Sequence, residues 1–123
     1  MNYLIDKAKL ILCEYPDSNH ISFIMRKNTI ICWGVNKKFK TDPLAKKFNH
    51  RHHTLHSEIS TIKKFPYPIK LLPKYKMVNV RIKNSDIVGL SKPCKPCQCL
   101  LYSFDVRQIY YTTPTNTFNL LCL

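Results

Sequence analysis

The chain has 123 residues, which is enough for one compact domain over residues 1–123 and too few for two. Hydrophobic residues make up 45% of it, a normal share for a folded core, and this excludes a largely disordered chain. The apolar runs, such as Leu10-Ile11-Leu12, are too short to cross a bilayer, and no basic start precedes a long apolar segment. We therefore expect neither a membrane span nor a signal peptide.

The formal net charge is +13, and its distribution along the chain is uneven. Residues 26–83 contain fifteen Lys or Arg and only two acids, whereas the rest of the chain is neutral. A basic field of this kind attracts polyphosphates or nucleic acid. The plain alternative is that the lysines reflect an AT-rich genome and form an ordinary solvated surface.

The six cysteines do not have the spacing of a disulfide framework. Cys94 and Cys97 crowd together with Cys99, which is typical of a metal cluster. The other three stand alone in apolar surroundings and are expected to be small buried residues: Cys13, Cys32 and Cys122. This usage predicts a reducing compartment, either the cytoplasm or the nucleus.

The first part of the chain predicts a helix and a hairpin. Asn2 can cap a helix over residues 3–15, whose apolar residues recur at helical spacing. Residues 20–26 and 29–35 predict two strands joined by a turn at 27–28. A long polar loop follows and carries several cations and three histidines. Loops of this length in a small domain are usually functional or mobile.

The second part alternates between helix and strand patterns. A helix is predicted over residues 55–65, with His56 and Glu58 in its first turn. Strands, an extended stretch and a third helix then follow, as the alternation and the turn residues indicate. Their predicted ranges are 77–82 (strand), 87–90 (extended), 94–104 (helix), 107–112 (strand) and 118–122 (strand).

Two motifs in these elements carry chemistry: His56-Ser57-Glu58 and Pro93-Cys94-Lys95-Pro96-Cys97. Zinc prefers nitrogen and sulfur ligands in a tetrahedron, and a catalytic site leaves one position for water. His56, Cys94 and Cys97 supply three such ligands, and a helix N-terminus favours thiolates. Glu58 lies two residues beyond the histidine, so it can act as a proton carrier instead of a ligand.

The coupled motifs resemble the zinc-dependent cytidine and deoxycytidylate deaminase superfamily, whose signature joins His-x-Glu to Pro-Cys-x-x-Cys. The resemblance covers roughly residues 20–113, and the order of elements agrees. The runs Ser91-Lys92-Pro93-Cys94 and Ile109-Tyr110-Tyr111-Thr112 look like those of the small viral and fungal members. The resemblance implies an α/β fold: a three-layer α/β/α sandwich around a mixed five-stranded sheet. The fifth strand is expected to run antiparallel to the fourth.

The resemblance also implies roles for individual residues. Zinc is expected on His56, Cys94 and Cys97, and Glu58 is expected to move protons. Family members often place an asparagine after the second strand, where it contacts sugar or base, and here that position is Asn36. Two further residues are expected to line the substrate site: Ser57 and Ser91. Ser57 departs from the small alanine usual in the family, and Cys99 is expected to face away from the metal.

The implied reaction is the conversion of cytosine to uracil in a nucleoside, a nucleotide or single-stranded nucleic acid. One alternative is a nucleic-acid-binding module with a structural zinc, in which His50, His52 or His53 closes a four-ligand site. Another is an adenosine deaminase of the tRNA type, although such members continue with a further helix and a parallel strand. No membrane partner is expected. A homo-oligomer stays open, because small cores often bury helices against a second copy.

Overall fold

The computed structural model describes residues 1–38, 54–83 and 87–123. Most of the polar loop of residues 36–53, with its three histidines, lies outside this described part. The elements are α1 (Asn2–Leu12), β1 (His20–Arg26), β2 (Thr29–Val35), β3 (Lys37–Lys38), β4 (Thr54–Leu55), α2 (Ser57–Lys63), a 3-10 helix (Ile69–Lys74), β5 (Lys76–Lys83), β6 (Ile87–Gly89), α3 (Lys95–Ser103), β7 (Gln108–Thr112) and β8 (Phe118–Cys122).

Six strands form one open mixed sheet in the order β2-β1-β5-β7-β8, with β6 alongside β5. β5 and β7 pair in parallel over residues 77–79, and β6 pairs antiparallel with residues 81–83, beyond the part that β7 covers. β7 and β8 are antiparallel, as predicted. The expected five strands become six, because the extended stretch before the cysteines adds a short ladder to the end of β5. β3 and β4 form a separate two-stranded ladder.

The helices cover both faces of the sheet. On one face, the buried stripe of α1, including Leu4 and Ala8, packs against Phe23 and its neighbours. On the other face, α2 and α3 pack through Ile59 and Leu100 against inward residues such as Ile24. Successive residues of a strand point to opposite faces, so Phe23 and Ile24 serve different layers. The chain is thus an α/β fold with helices on both sides of a mixed sheet.

A glycine sets the approach of α2 to the sheet. A Cβ at Gly34 of β2 would lie 2.5 Å from the backbone nitrogen of Thr61, which no real Cβ tolerates. The absence of a side chain there lets α2 lie directly on the strand. This close packing holds α2, whose N-cap is His56, against β2.

Several local expectations need correction. Met1, not Asn2, occupies the N-cap of α1, and the helix ends at Leu12, three residues before the predicted end. Residues 54–55 are a strand, so α2 starts two residues later than predicted. The three lone cysteines are not buried: Cys13 and Cys122 are exposed, and Cys32 is intermediate. Among the described residues, no helix is long and apolar enough to span a membrane.

Candidate metal centre

Two helix starts bring the predicted zinc ligands together. His56 is the N-cap of α2 and Cys94 is the N-cap of α3, both with extended backbone. A residue at this position usually uses its side chain to bind a free N–H of the first turn. Here the side chains of His56 and Cys94 lie in contact with each other, and Cys97 joins them from the first turn of α3.

The three side chains form a compact triad. His56 Nδ1 lies 3.5 Å from Cys94 Sγ and 3.3 Å from Cys97 Sγ. All three ligand atoms lie within 4.8 Å of one another, and Cys99 is not part of the group. One imidazole nitrogen and two sulfurs make a donor set that suits zinc, and three ligands leave a fourth tetrahedral position open. The triad of His56, Cys94 and Cys97 can therefore hold a metal ion.

The protonation of the triad follows from its own contacts. The hydrogen bond from Cys97, helped by His56, lowers the pKa of the Cys94 thiol to about 4. The pKa of Cys97 is raised, because Cys94 accepts its hydrogen bond and burial disfavours a second charge. The Cys94 contact also raises the pKa of His56. Zinc binds thiolates and a neutral imidazole, so metal binding at this triad would release protons.

Glu58 lies buried beside this triad. It is 6% exposed, and burial raises the pKa of its carboxyl group, with the Cys94 sulfur acting in the same direction and His56 opposing it. Asn79 Nδ2 donates to Glu58 Oε2 at 3.1 Å. Ser57 Oγ lies 3.2 Å from Glu58 Oε1 and 2.8 Å from Ser22 Oγ, so its single proton serves one of them at a time. The acid is therefore held in one orientation with little contact with bulk water.

Asn79 is the centre of a satisfied polar network that the sequence patterns did not reveal. Its amide group donates to Glu58 Oε2 and, at 3.3 Å, to the carbonyl oxygen of Ser91, and its Oδ1 accepts from Ser22 Oγ at 2.7 Å. Ser91 Oγ donates to the backbone oxygen of Asn79 at 2.8 Å and also contacts Thr112. The available signal was a polar residue within the apolar strand β5, which β-strand alternation alone assigns to solvent.

The predicted substrate residues have internal partners. The hydroxyls of Ser57 and Ser91 take part in the network around Asn79. Asn36 Oδ1 accepts from the backbone nitrogens of Asn19 and His20, at 3.1 and 2.9 Å, and so fixes the entry to β1. The structure brings Ser57 next to Glu58 and Ser91 next to Asn79. The Asn36 side chain instead stabilises the backbone at the start of β1. Their contact with substrate stays a prediction.

His20 places a second imidazole close enough to His56 for the two to interact electrostatically. Burial, the Arg81 guanidinium and the nearby His56 lower the pKa of His20 to about 4. Its Nδ1 lies 2.8 Å from Asn19 Oδ1. His20 is therefore uncharged at neutral pH and was not identified as a site residue by the sequence.

Comparisons with protein families, with characterised proteins and with solved structures find no match for the chain. The likeness to the deaminase superfamily therefore rests on the two sequence motifs. The described geometry supports a metal centre of one histidine and two cysteines with a buried acid next to it.

Proposed function

We propose that this protein is a zinc-dependent hydrolytic deaminase that converts cytosine to uracil in a nucleoside, a nucleotide or single-stranded nucleic acid. One observation carries the proposal: a buried carboxyl group with fixed orientation stands beside a His-Cys-Cys triad. A purely structural zinc has four protein ligands and does not require a buried acid that is not a ligand. The superfamily likeness of the two motifs supports the same reading, and the cytidine deaminase-like fold is part of the proposal.

The chain's own residues have distinct tasks in this reaction. His56, Cys94 and Cys97 would hold zinc, which activates water towards attack on an aromatic amidine carbon. Glu58 would take a proton from the water and deliver it to the ring nitrogen, and would then carry the proton of the newly attached hydroxyl to the amine, which leaves as ammonia. Its raised pKa suits a group that must both accept and release a proton near neutral pH. The hydrogen bond from Asn79 keeps Oε2 in place during both transfers.

Cytosine is favoured over adenine by the last strand. β8 runs antiparallel to β7 and directly follows it through the turn of residues 113–117. In the resemblance, that arrangement belongs to the cytidine-type members, whereas the tRNA-type members insert a helix and add a parallel strand. Cytosine substrates are therefore the first to test, and adenosine in tRNA is the alternative.

The test compares products and metal content in one preparation. Purified protein is incubated in parallel with cytidine, with dCMP and with a single-stranded oligonucleotide containing all four bases, and products are read by mass spectrometry. We expect a gain of one mass unit, as NH is replaced by O, for at least one cytosine substrate. Glu58→Gln is expected to abolish this change and retain zinc, and Glu14→Gln, at an exposed acid just after α1, is the matched control.

The structural-zinc alternative makes the opposite prediction. In that case neither cytosine nor adenine substrates react, although the wild-type protein contains zinc. One further ligand must then complete the site, and substitution of His50, His52 or His53 would release the metal. Retention of zinc in all three variants, together with turnover, would exclude a structural role.

A further inference from the structure

The two ends of α2 carry different chemistry. His56 caps its first turn at the metal triad, and Lys64 caps its last turn eight residues later. At a rise of about 1.5 Å per residue, these ends lie on the order of 12 Å apart. The chain then passes through two prolines and the 3-10 helix before it enters β5. This segment forms a surface that the metal site does not use.

An aromatic cluster forms the floor of this surface. Phe65 contacts Tyr75 and Tyr67 edge-on, with ring centroids 5.1 and 5.7 Å apart. Tyr67 and Tyr75 are stacked, with centroids 6.1 Å apart and ring planes 16° from parallel. Phe65 and Tyr75 pack on the hydrophobic core, whereas Tyr67 is 48% exposed. Packing on the core thus fixes the rings of Phe65 and Tyr75, whereas the Tyr67 ring is accessible to a ligand.

Three cations lie beside these rings or on the segment that joins them. The Arg26 guanidinium lies 6.0 Å from the centre of the Tyr75 ring. Lys70 and Lys74 are exposed on the 3-10 helix, which lies in the chain between Tyr67 and Tyr75, the two stacked rings. The sequence has no acid in residues 18–41 or 59–83, so no neighbour along the chain neutralises these charges. We call this set, Phe65, Tyr67 and Tyr75 with Arg26, Lys70 and Lys74, the basic aromatic surface.

Tyr102, another exposed tyrosine, also lies beside an arginine, but the charge of that arginine is neutralised. Tyr102 is 56% exposed and has the Arg107 guanidinium 3.8 Å from its ring centre. There, however, Arg107 pairs with Asp105 at 2.8 Å, so the positive charge is compensated. The basic aromatic surface combines an accessible ring with several cations and has no such acid in its own segments.

We propose that the basic aromatic surface binds single-stranded nucleic acid. Unpaired bases offer faces that stack on aromatic side chains, and the backbone phosphates pair with lysine and arginine. Duplex DNA has no unstacked base to offer, so its binding here would depend on charge alone. The assignment does not require deamination. With the proposed function, it favours a polynucleotide over a free nucleoside as substrate, since nucleotides next to the reacting base can reach a surface at the far end of α2.

The test uses a probe that cannot be deaminated. Fluorescently labelled oligothymidylate of about 16 nucleotides contains no exocyclic amine, so its binding is independent of turnover at the metal site. Fluorescence anisotropy over a range of salt concentrations gives the affinity and its salt slope. For single strands, each neutralised phosphate contributes roughly −0.7 to that slope. The Lys70→Gln/Lys74→Gln double variant should therefore make the slope shallower by about 1.4.

Substitution at Tyr67 separates stacking from charge. Tyr67→Leu should weaken binding about 5- to 150-fold with little change in salt slope, because it removes an aromatic face and no charge. Tyr67→Phe retains the ring and should restore the wild-type affinity. Tyr102→Leu is the aromatic control, and Lys9→Gln/Lys83→Gln is the charge control; neither is expected to weaken binding comparably. Thermal unfolding of each variant verifies that the fold is intact.

Three outcomes would overturn the proposal. The first is that oligothymidylate does not bind at low salt, or that the two control variants lose as much affinity as the Tyr67→Leu and Lys70→Gln/Lys74→Gln variants. The second is equal affinity for a duplex of the same length, which indicates charge alone. The third is binding to vesicles with anionic lipid but not to the oligonucleotide, which indicates a membrane surface. If the protein shows no deaminase activity but passes this test, only the proposed function fails.

Discussion

Asn79 Nδ2 donates to Glu58 Oε2 at 3.1 Å, and this bond joins the central strand β5 to the first turn of α2. A 180° flip of the Asn79 amide would be unfavourable, because Oδ1 would then face two other acceptors, the Glu58 carboxylate and the Ser91 carbonyl oxygen. Its orientation is therefore fixed by chemistry, and through it the orientation of the acid. A residue of the sheet thereby controls the group that we assign to proton transfer.

Replacement of Asn79 by Ala should lower activity more than it lowers metal content. Loss of an outer partner of a site typically costs roughly 10- to 100-fold in activity. The variant should also lose about 1–3 kcal/mol of stability, since Ser22 and Ser91 lose a buried partner. Deaminase rate, zinc content and denaturant unfolding are measured together. Asn119→Ala, at an exposed position of β8, is the control; an equal loss of rate there would contradict the assignment.

The metal ligands can be tested without any substrate. Cys97→Ser and Cys94→Ser should each reduce bound zinc well below one equivalent, because the triad then offers only two strong ligands. Cys99→Ser is a matched control, since Cys99 lies in the same helix but outside the triad. Metal content is measured by mass spectrometry after dialysis. Full zinc retention in Cys97→Ser, or its loss in Cys99→Ser, would mean that the ligand set is wrong.

The sequence predicted most strands from local patterns, and it predicted the metal triad because the spacing within each of its two motifs matches a known zinc signature. His56, Cys94 and Cys97 are recognisable by their spacing, and the turn at residues 27–28 by its polarity between two apolar runs. The partner of Glu58 could not be found in this way. Asn79 and Glu58 are 21 residues apart in sequence, no motif links them, and their contact depends on how α2 packs on β1 and β2, next to β5. β-strand alternation places Asn79 on the face of the sheet opposite to that of Val78 and Val80. Only the packing of α2 shows that the face with Asn79 is also buried.

Acid should destabilise the protein through His20. Its pKa is about 4 in the folded chain and near 6.5 when unfolded, so between these values the unfolded state binds more protons. Stability from this group is therefore present above about pH 6.5 and is lost as the pH falls towards 4, with a total of at most about 3 kcal/mol. Denaturant unfolding of wild type and His20→Gln across this range measures the difference. Parallel stability curves for the two proteins would show that His20 makes no such contribution.

Gly34→Ala tests how closely α2 must approach the sheet. The added methyl group would lie 2.5 Å from the Thr61 backbone nitrogen and 2.7 Å from the Ser60 carbonyl carbon, and neither backbone atom can move alone. Overpacking of this kind costs about 1–3 kcal/mol, or more where backbone must shift. Gly89→Ala is the control, since its Cβ would meet flexible Lys83 and Arg81 side chains at 3.0 and 3.1 Å. Because α2 carries both His56 and Glu58, we expect Gly34→Ala to weaken zinc binding as well as stability. Denaturant unfolding and zinc titration of both variants measure this, and equal behaviour of the two alanine variants would contradict the close-packing argument.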